Sequence, residues 1–208
     1  MNVRFNLMPR RIIMFEEYNK AQKAVFETTL RLINEKELQA TSMSLISKES
    51  GVSTGAIYHY FDSKEAIINE LYIALIKAST KAVLKNFDVD ETLQIRFGNA
   101  WRNLIEFAIQ QPDAFRFMEQ YSFSPYIEKT TKVKAEEINW CRTLATLYES
   151  AVKADLFIDW NPQLMVQMHY GSVVYLLKAY FQDNMQITEK EVNKMIDYCW
   201  NSVHKASA

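Results

Sequence analysis

Only four glycines and four prolines occur among the 208 residues. Tight reversals between strands depend on these two residue types, glycine for positive φ and proline for its fixed φ. A chain so far below average usage in both has few corners and is built from long helices. Its apolar residues recur at helical spacing almost throughout, so the expected fold is all-α with about nine helices. With 49% hydrophobic and 24% charged residues it can bury a sizeable core and is not disordered.

The formal net charge is −1, which by itself points to neither nucleic acid nor membrane. Its distribution says more. Residues 1–64 carry nine Lys/Arg against seven Asp/Glu, and residues 65–208 carry fifteen against eighteen. The sign agrees with an N-terminal segment that meets an anion. Cys141 and Cys199 lie far apart and read as free thiols in a reducing compartment. No apolar run is long enough to span a bilayer, and no signal-peptide pattern opens the chain. The expected location is the cytoplasm, away from membranes.

Along the chain, residues 1–14 read as a basic arm. A first helix runs from Glu17 to about Lys36. Thr41 and Ser42 offer N-cap oxygens to a second, Gly51 breaks it, Ser53 caps a third, and Ser63 caps a fourth to about Asn86. Asp88 and Asp90 open the next helix, which ends at Gln111 before Pro112. A short segment spans Phe115 to Tyr121, and residues 126–156 form one long amphipathic stretch. Asn161-Pro162 starts a helix through Phe181, and Thr188 with Glu191 forms a capping box for the last one.

The stretch GVSTGAIYHYFDSKEAI, from residue 51, is the chemically distinctive one. Two short helices around Gly51-Val52-Ser53 make a helix-turn-helix, with Gly51 in a left-handed turn and Val52 filling the angle. Ile57 and Phe61, four apart, face inward. Thr54, Gly55, Ala56, Tyr58 and His59 are left outside. The small residues let backbone approach base edges, and the Thr54 hydroxyl and methyl can contact bases. Tyr and His donors suit phosphate oxygens. Aromatic residues at this spacing are otherwise commonly core, so the surrounding pattern decides the reading.

That pattern extends over TSMSLISKESGVSTGAIYHYFDSKEAI and, more loosely, from Phe26 to about Leu71. It resembles the DNA-binding domain of the tetracycline-repressor (TetR) family of bacterial regulators. The matching residues are Thr41, Ser42, Ile46, Ser47, Gly51, Val52, Ser53, Gly55, Ile57, Tyr58, Tyr60, Phe61, Lys64 and Glu65. The resemblance implies base contacts from Thr54 and Gly55, and phosphate contacts from Thr41, Tyr58, His59, Tyr60 and Lys64. Ser42, Ser53 and Ala56 complete the expected DNA-binding set. Three departures bear on the operator rather than the class. Glu37 stands where the family usually has a helix-ending glycine. Thr54 replaces a frequent Lys or Arg, and Asp62 adds a negative charge near the backbone.

The resemblance fades after residue 75. It implies a helical regulatory domain that dimerises through its last two long helices and encloses a ligand pocket, so residues 1–64 are expected to read DNA and 65–208 to bind ligand and dimerise. Residues 162–181 are apolar on nearly every face, as a helix buried all round would be. Gly171, Val174, Lys178, Met195 and Cys199 are the positions assigned to the dimer interface. Trp101, Arg102, Phe117, Tyr121, Trp140 and His169, from the aromatic-rich middle helices, are the pocket candidates for an unidentified small-molecule effector.

No HExxH, phosphate-cradling glycine loop, GxSxG or paired-cysteine motif is present. Cys141, Cys199, His169 and His204 have no i,i+3 or i,i+4 pair to hold a metal. No cofactor, metal or catalytic site is expected, and the chain is not read as an enzyme. The expectation is a homodimeric, ligand-responsive regulator of transcription that binds double-stranded operator DNA, most simply as a repressor. The alternatives are an activator without a small-molecule ligand and a helix-turn-helix that binds protein.

Overall fold

The structure, a computed structural model, describes residues 14–183 and 185–205. Apart from Met14, the basic arm lies outside them. Ten helices follow in order: α1 Lys20–Ala40, α2 Met43–Ser50, α3 Thr54–Tyr60, α4 Lys64–Val83, α5 Leu93–Gln110, α6 Pro112–Tyr121, α7 Lys129–Ile138, α8 Trp140–Lys153, α9 Pro162–Phe181 and α10 Glu189–Val203. Among the described residues the only extended pairing is one antiparallel bridge, Phe157 to His204. No helix there is long and apolar enough to cross a membrane.

The all-α expectation holds, with one helix more than about nine. The extra helix comes from Asn139. It takes an extended conformation, and its Oδ1 accepts from the Cys141 N–H at 3.0 Å, so the stretch 126–156 is cut into α7 and α8. Asparagine competes for backbone donors in this way and favours caps over helix interiors. α4 stops at Val83, short of Asn86. α5 is opened by Thr92, whose Oγ1 accepts from Ile95 N–H at 3.3 Å, not by Asp88 or Asp90. The caps at Asn161 and Thr188 are as expected: Asn161 Oδ1 accepts from Gln163 and Leu164, and Glu191 Oε2 accepts from the Thr188 N–H.

The described chain divides into two compact units. One, the head, combines residues up to Ala78 with Gln111–Ile138; the other, the body, combines Ser79–Gln110 with the residues from Asn139 onward. In the head, Phe26 is the hub. The rings of Phe15, Tyr18 and Phe61 surround it at 5.3, 4.8 and 5.4 Å, over a floor of buried Leu30, Ile33, Ile46, Ile57 and Ile68. Two asparagines fasten α6 and α7 to this unit. Asn34 Nδ2 donates to Asp113 O at 3.3 Å, and Asn69 donates to Tyr126 O while accepting from Glu128 N–H at 2.9 Å.

The end of α1 carries a strained residue. Glu37 has φ 66° and ψ 165°, a region that residues with a Cβ rarely occupy. It is the position where the resemblance leads one to expect glycine. The helix kinks there and resumes for one turn, through Ala40.

In the body, α5, α8, α9 and α10 enclose an aromatic core. Phe97 stacks on Tyr148 at 5.5 Å and meets Trp200 and Phe157 edge-on at 5.2 and 6.2 Å. Trp101 meets Trp140 and His169 at 5.9 and 5.7 Å.

Candidate nucleic-acid interface

Three local devices build the helix-turn-helix. Ser42 caps α2, its Oγ accepting from Leu45 N–H at 3.2 Å. Gly51 ends α2 in the left-handed region (φ 69°, ψ 9°), which glycine alone enters without steric cost. Ser53 then caps α3, its Oγ accepting from Ala56 N–H. The turn between is braced by Ser47 Oγ, which donates to Val52 O at 2.8 Å.

The faces of α3 follow from its period. Ile57 and Phe61 are fully buried. Thr54, Gly55, His59 and Tyr60 are exposed, Ala56 is half-buried, and Tyr58 is 51% exposed. An aromatic ring left half in water on a seven-residue helix keeps a free face and hydroxyl, so it is available to a partner. The His59 and Tyr60 rings contact each other edge-on at 5.0 Å. No acidic residue lies on α3. The Glu49 carboxylate of α2 is met by Arg31 at 3.1 Å, and Arg31 also pairs with Glu35.

Two expected phosphate ligands sit differently. Thr41 is fully buried, and its hydroxyl donates to Glu37 O at 2.9 Å. That side chain locks the joint between α1 and α2 and has no donor left for a phosphate. Lys64 is half-buried, and its Nζ donates to Leu38 O at 3.2 Å, tying the start of α4 to the end of α1. The ammonium keeps two further N–H donors. The sequence reading passes over Ser44 and Lys48, which are exposed and four apart, hence on one face of α2. Their spacing beside inward Ile46 was the signal that could have found them.

The six pocket candidates do not share one arrangement. Trp101, Trp140 and His169 come together in the body core. Phe117 and Tyr121 belong to the head unit, where their rings stack at 4.6 Å. Arg102 turns outward to the Glu189 carboxylate and Asn193 Oδ1, tying α5 to α10.

A single directional chain of hydrogen bonds runs through the core. Trp101 Nε1–H can only donate, and does so to the Tyr148 oxygen at 3.0 Å. Ser202 Oγ donates to Cys199 O at 2.8 Å, so it accepts from His169 Nε2–H at 2.9 Å. His169 Nδ1 is then the acceptor for the Tyr148 hydroxyl at 2.7 Å. The imidazole is neutral and held as one tautomer, and burial pushes its pKa down to about 4. Burial also pushes the Cys199 thiol up to about 12, which leaves it inert.

Of the dimer positions, Val174 and Cys199 are buried within the chain, Met195 is half-buried, and Gly171 and Lys178 are exposed. Gly171 lies in an apolar stripe with Leu164, Met168 and Tyr175, at i, i+4, i+7 and i+11 along α9. Met168 and Tyr175 are 62% and 77% exposed, and Tyr198 of α10 is 66% exposed. Burial all round α9 is therefore not achieved within one chain.

Comparison with known proteins agrees with this geometry. Residues 25–71 match the family described as "Bacterial regulatory proteins, tetR family". Residues 92–204, more than half of the chain, match "Tetracyclin repressor-like, C-terminal domain". An HTH-type transcriptional regulator of Haemophilus influenzae is 21% identical over 181 residues, 87% of this chain and 94% of its own. The HTH-type regulator BetI of Vibrio campbellii is 38% identical over 60 residues, 29% of this chain and 30% of its own. Among solved structures, a TetR-family regulator from Marinobacter aquaeolei aligns with a TM-score of 0.81 at 19% identity, covering 90% of this chain and 97% of that one. At that identity the likeness speaks for the fold. The two matched domains go further: this chain, with its helix-turn-helix head and helical body, belongs to the tetracycline-repressor family of bacterial transcriptional regulators, not to a family of enzymes.

Proposed function

We propose that this regulator represses transcription by binding operator DNA as a homodimer, and that a small molecule bound to residues 65–208 releases it. The observation that carries the DNA half is the partition of α3. Its two large aliphatic and aromatic anchors are buried, while Thr54, Gly55, Tyr58 and His59 stand in solvent. In this reading Thr54 and Gly55 meet base edges, and Tyr58, His59, Tyr60 and Lys64 meet phosphates. Residues 1–64 are the functional reading head, although α6 and α7 also pack with it.

The α9 stripe supports the homodimer. Leu164, Met168, Gly171 and Tyr175 offer an apolar stripe, with the Lys178 ammonium over the Tyr175 ring at its end, of the kind that a second copy covers in a self-complementary interface. The effector half follows from α4, which gives residues up to Ala78 to the head and Ser79–Val83 to the body. A ligand acts on DNA only by binding two arrangements of the heads unequally. A tenfold release needs about 1.4 kcal/mol of coupling, within the usual range.

Selection of bound sites from random-sequence duplexes tests the reading. The expected product is a two-fold symmetric site with half-site centres about 34–36 Å, or a multiple, apart. An asymmetric single site bound by one chain would refute the homodimer.

A further inference from the structure

The body carries a groove of about 330 Å³ between the α4–α5 turn, α5 and α8. This is near the lower bound for small-molecule sites. It is lined by Phe87, by Arg96 of α5, and by Arg142, Thr143 and Leu147 of α8 among others, with no acidic residue. Neither arginine has an ion-pair partner among the described residues. The Nε of Arg96 is buried and has no hydrogen-bond acceptor. Its guanidinium lies over the Phe87 ring, 4.5 Å from the centroid. Asp88, Asp90 and Glu91 follow in the same turn but leave both arginines unpaired; one Asp88 oxygen accepts from the Asp90 N–H instead.

A guanidinium with a buried N–H and no acceptor is an unusual thing to leave in a folded protein, because an unmade bond to a charged group is costly. A guanidinium held over an aromatic ring is also fixed in place, which suits a planar or tetrahedral oxyanion. Phe87 and Leu147 supply the apolar part of the lining, and Arg142 supplies a second positive charge from an exposed position. We propose that this groove binds a small organic anion, an oxyanion head between Arg96 and Arg142 on a short apolar body lying against Phe87 and Leu147. The proposal stands on the groove alone and does not require that its ligand control DNA binding.

The test is calorimetric titration of the full chain, without DNA, with benzoate, phenyl phosphate and benzyl alcohol. Saturable binding is expected for at least one of the two anions, and the one bound identifies a carboxylate or a phosphate head. Benzyl alcohol, with the same ring and no charge, is expected not to bind. Arg96→Gln and Arg142→Gln should each weaken the anion by about tenfold or more, as loss of a charge-assisted hydrogen bond does. Arg142 is exposed, so its variant keeps the fold and leaves the test decisive if Arg96→Gln proves unstable. Equal binding of benzyl alcohol, or anion binding unchanged by Arg142→Gln, overturns the proposal. So does absence of saturation up to about 10 mM, where even a ligand of about 1 mM Kd would be detected.

Discussion

Replacing Gly171 by leucine should act in opposite directions on the single chain and on its association. A Cβ built at Gly171 meets nothing within 4 Å, so within one chain the new side chain has open space. The residue lies inside α9, where glycine is less favourable than alanine by roughly 0.8–1 kcal/mol and than leucine by somewhat less, so the isolated chain should gain roughly 0.5–1 kcal/mol. If the stripe of Leu164, Met168 and Tyr175 is covered by a second copy, that same open space is filled in the dimer. Overpacking a formed contact costs about 1–3 kcal/mol, which raises the dimer Kd roughly 5- to 150-fold. A two-fold interface carries the substitution twice, so these figures bound the effect from below. Sedimentation over a concentration series gives the Kd, and thermal unfolding at dilutions where the chain is monomeric gives the intrachain effect. Gly171→Ala is the graded control, with a similar intrachain gain and a smaller rise in Kd. An unchanged Kd for the leucine variant would remove α9 from the interface. A less stable monomer would mean that the open space is not there.

The strained end of α1 gives a second expectation. Glu37→Gly should stabilise the chain by about 1 kcal/mol, the roughly 1–3 kcal/mol of strain relieved less the entropy cost of glycine, whereas Glu37→Ala, which keeps the Cβ, should not. Thermal unfolding decides, and equal gains from both would locate the effect in the charge. His169 gives a pH dependence whose sign follows from its depressed pKa. The unfolded chain binds the proton first, so stability is full above pH 6.5 and is lost as pH falls toward 4, by about 3 kcal/mol in all. His169→Gln should remove that slope, and denaturation curves offset by a constant at every pH would contradict the assignment. Lys64→Ala should weaken binding to all DNA sequences alike and lower the salt slope by roughly 1. A mobility-shift titration with an unchanged slope would confine Lys64 to its bond with Leu38.

The features legible in the sequence are those whose causes lie within a few residues. Gly51 and Ser53 specify the turn and the start of α3 by their own backbone preferences, and the four-residue spacing of Ile57 and Phe61 orients the helix. The Asn139 cap was equally local, but the apolar period runs through it on both sides and hides the break. At the start of α5, Asp88, Asp90 and Thr92 are all good caps, and nothing adjacent chooses among them. The arrangement of the pocket candidates was hidden for a different reason. A tryptophan and a histidine on apolar helices look alike whether they line a cavity or complete a buried network. The partners that decide are Tyr148, 47 residues beyond Trp101, and Ser202, 33 beyond His169. Arg102 was read among aromatic neighbours, yet its partner Glu189 is 87 residues away. Apolar residues on every face of α9 likewise do not say which face the chain covers itself. Val174 faces inward, and Tyr175, the next residue, faces out.

The polar chain through the body bears on where a signal enters. A molecule that displaces Trp101, Tyr148 or His169 must replace each hydrogen bond it breaks or leave a buried donor unpaired, at about 1–3 kcal/mol each. A ligand at the rim, against Arg96, meets a donor that lacks an acceptor and breaks nothing. Arg96 stands on the same helix as Asn103, whose Nδ2 donates to Val83 O at 3.1 Å and to Lys85 O at 2.8 Å. Those two carbonyls are the last turn of α4 and the segment just after it. The other end of α4 begins at Lys64, bonded to the carbonyl of Leu38, beside the strained Glu37 and the buried Thr41 that join α1 to α2. A helix transmits displacement at one end to the other because its own hydrogen bonds resist extension. Among the described residues α4 is thus the one helix with residues in both units, bonded to α5 near its C-terminal end and to Leu38 at its start. Geometry alone does not make this a switch: a ligand with equal affinity for both arrangements would occupy the groove and leave the DNA bound.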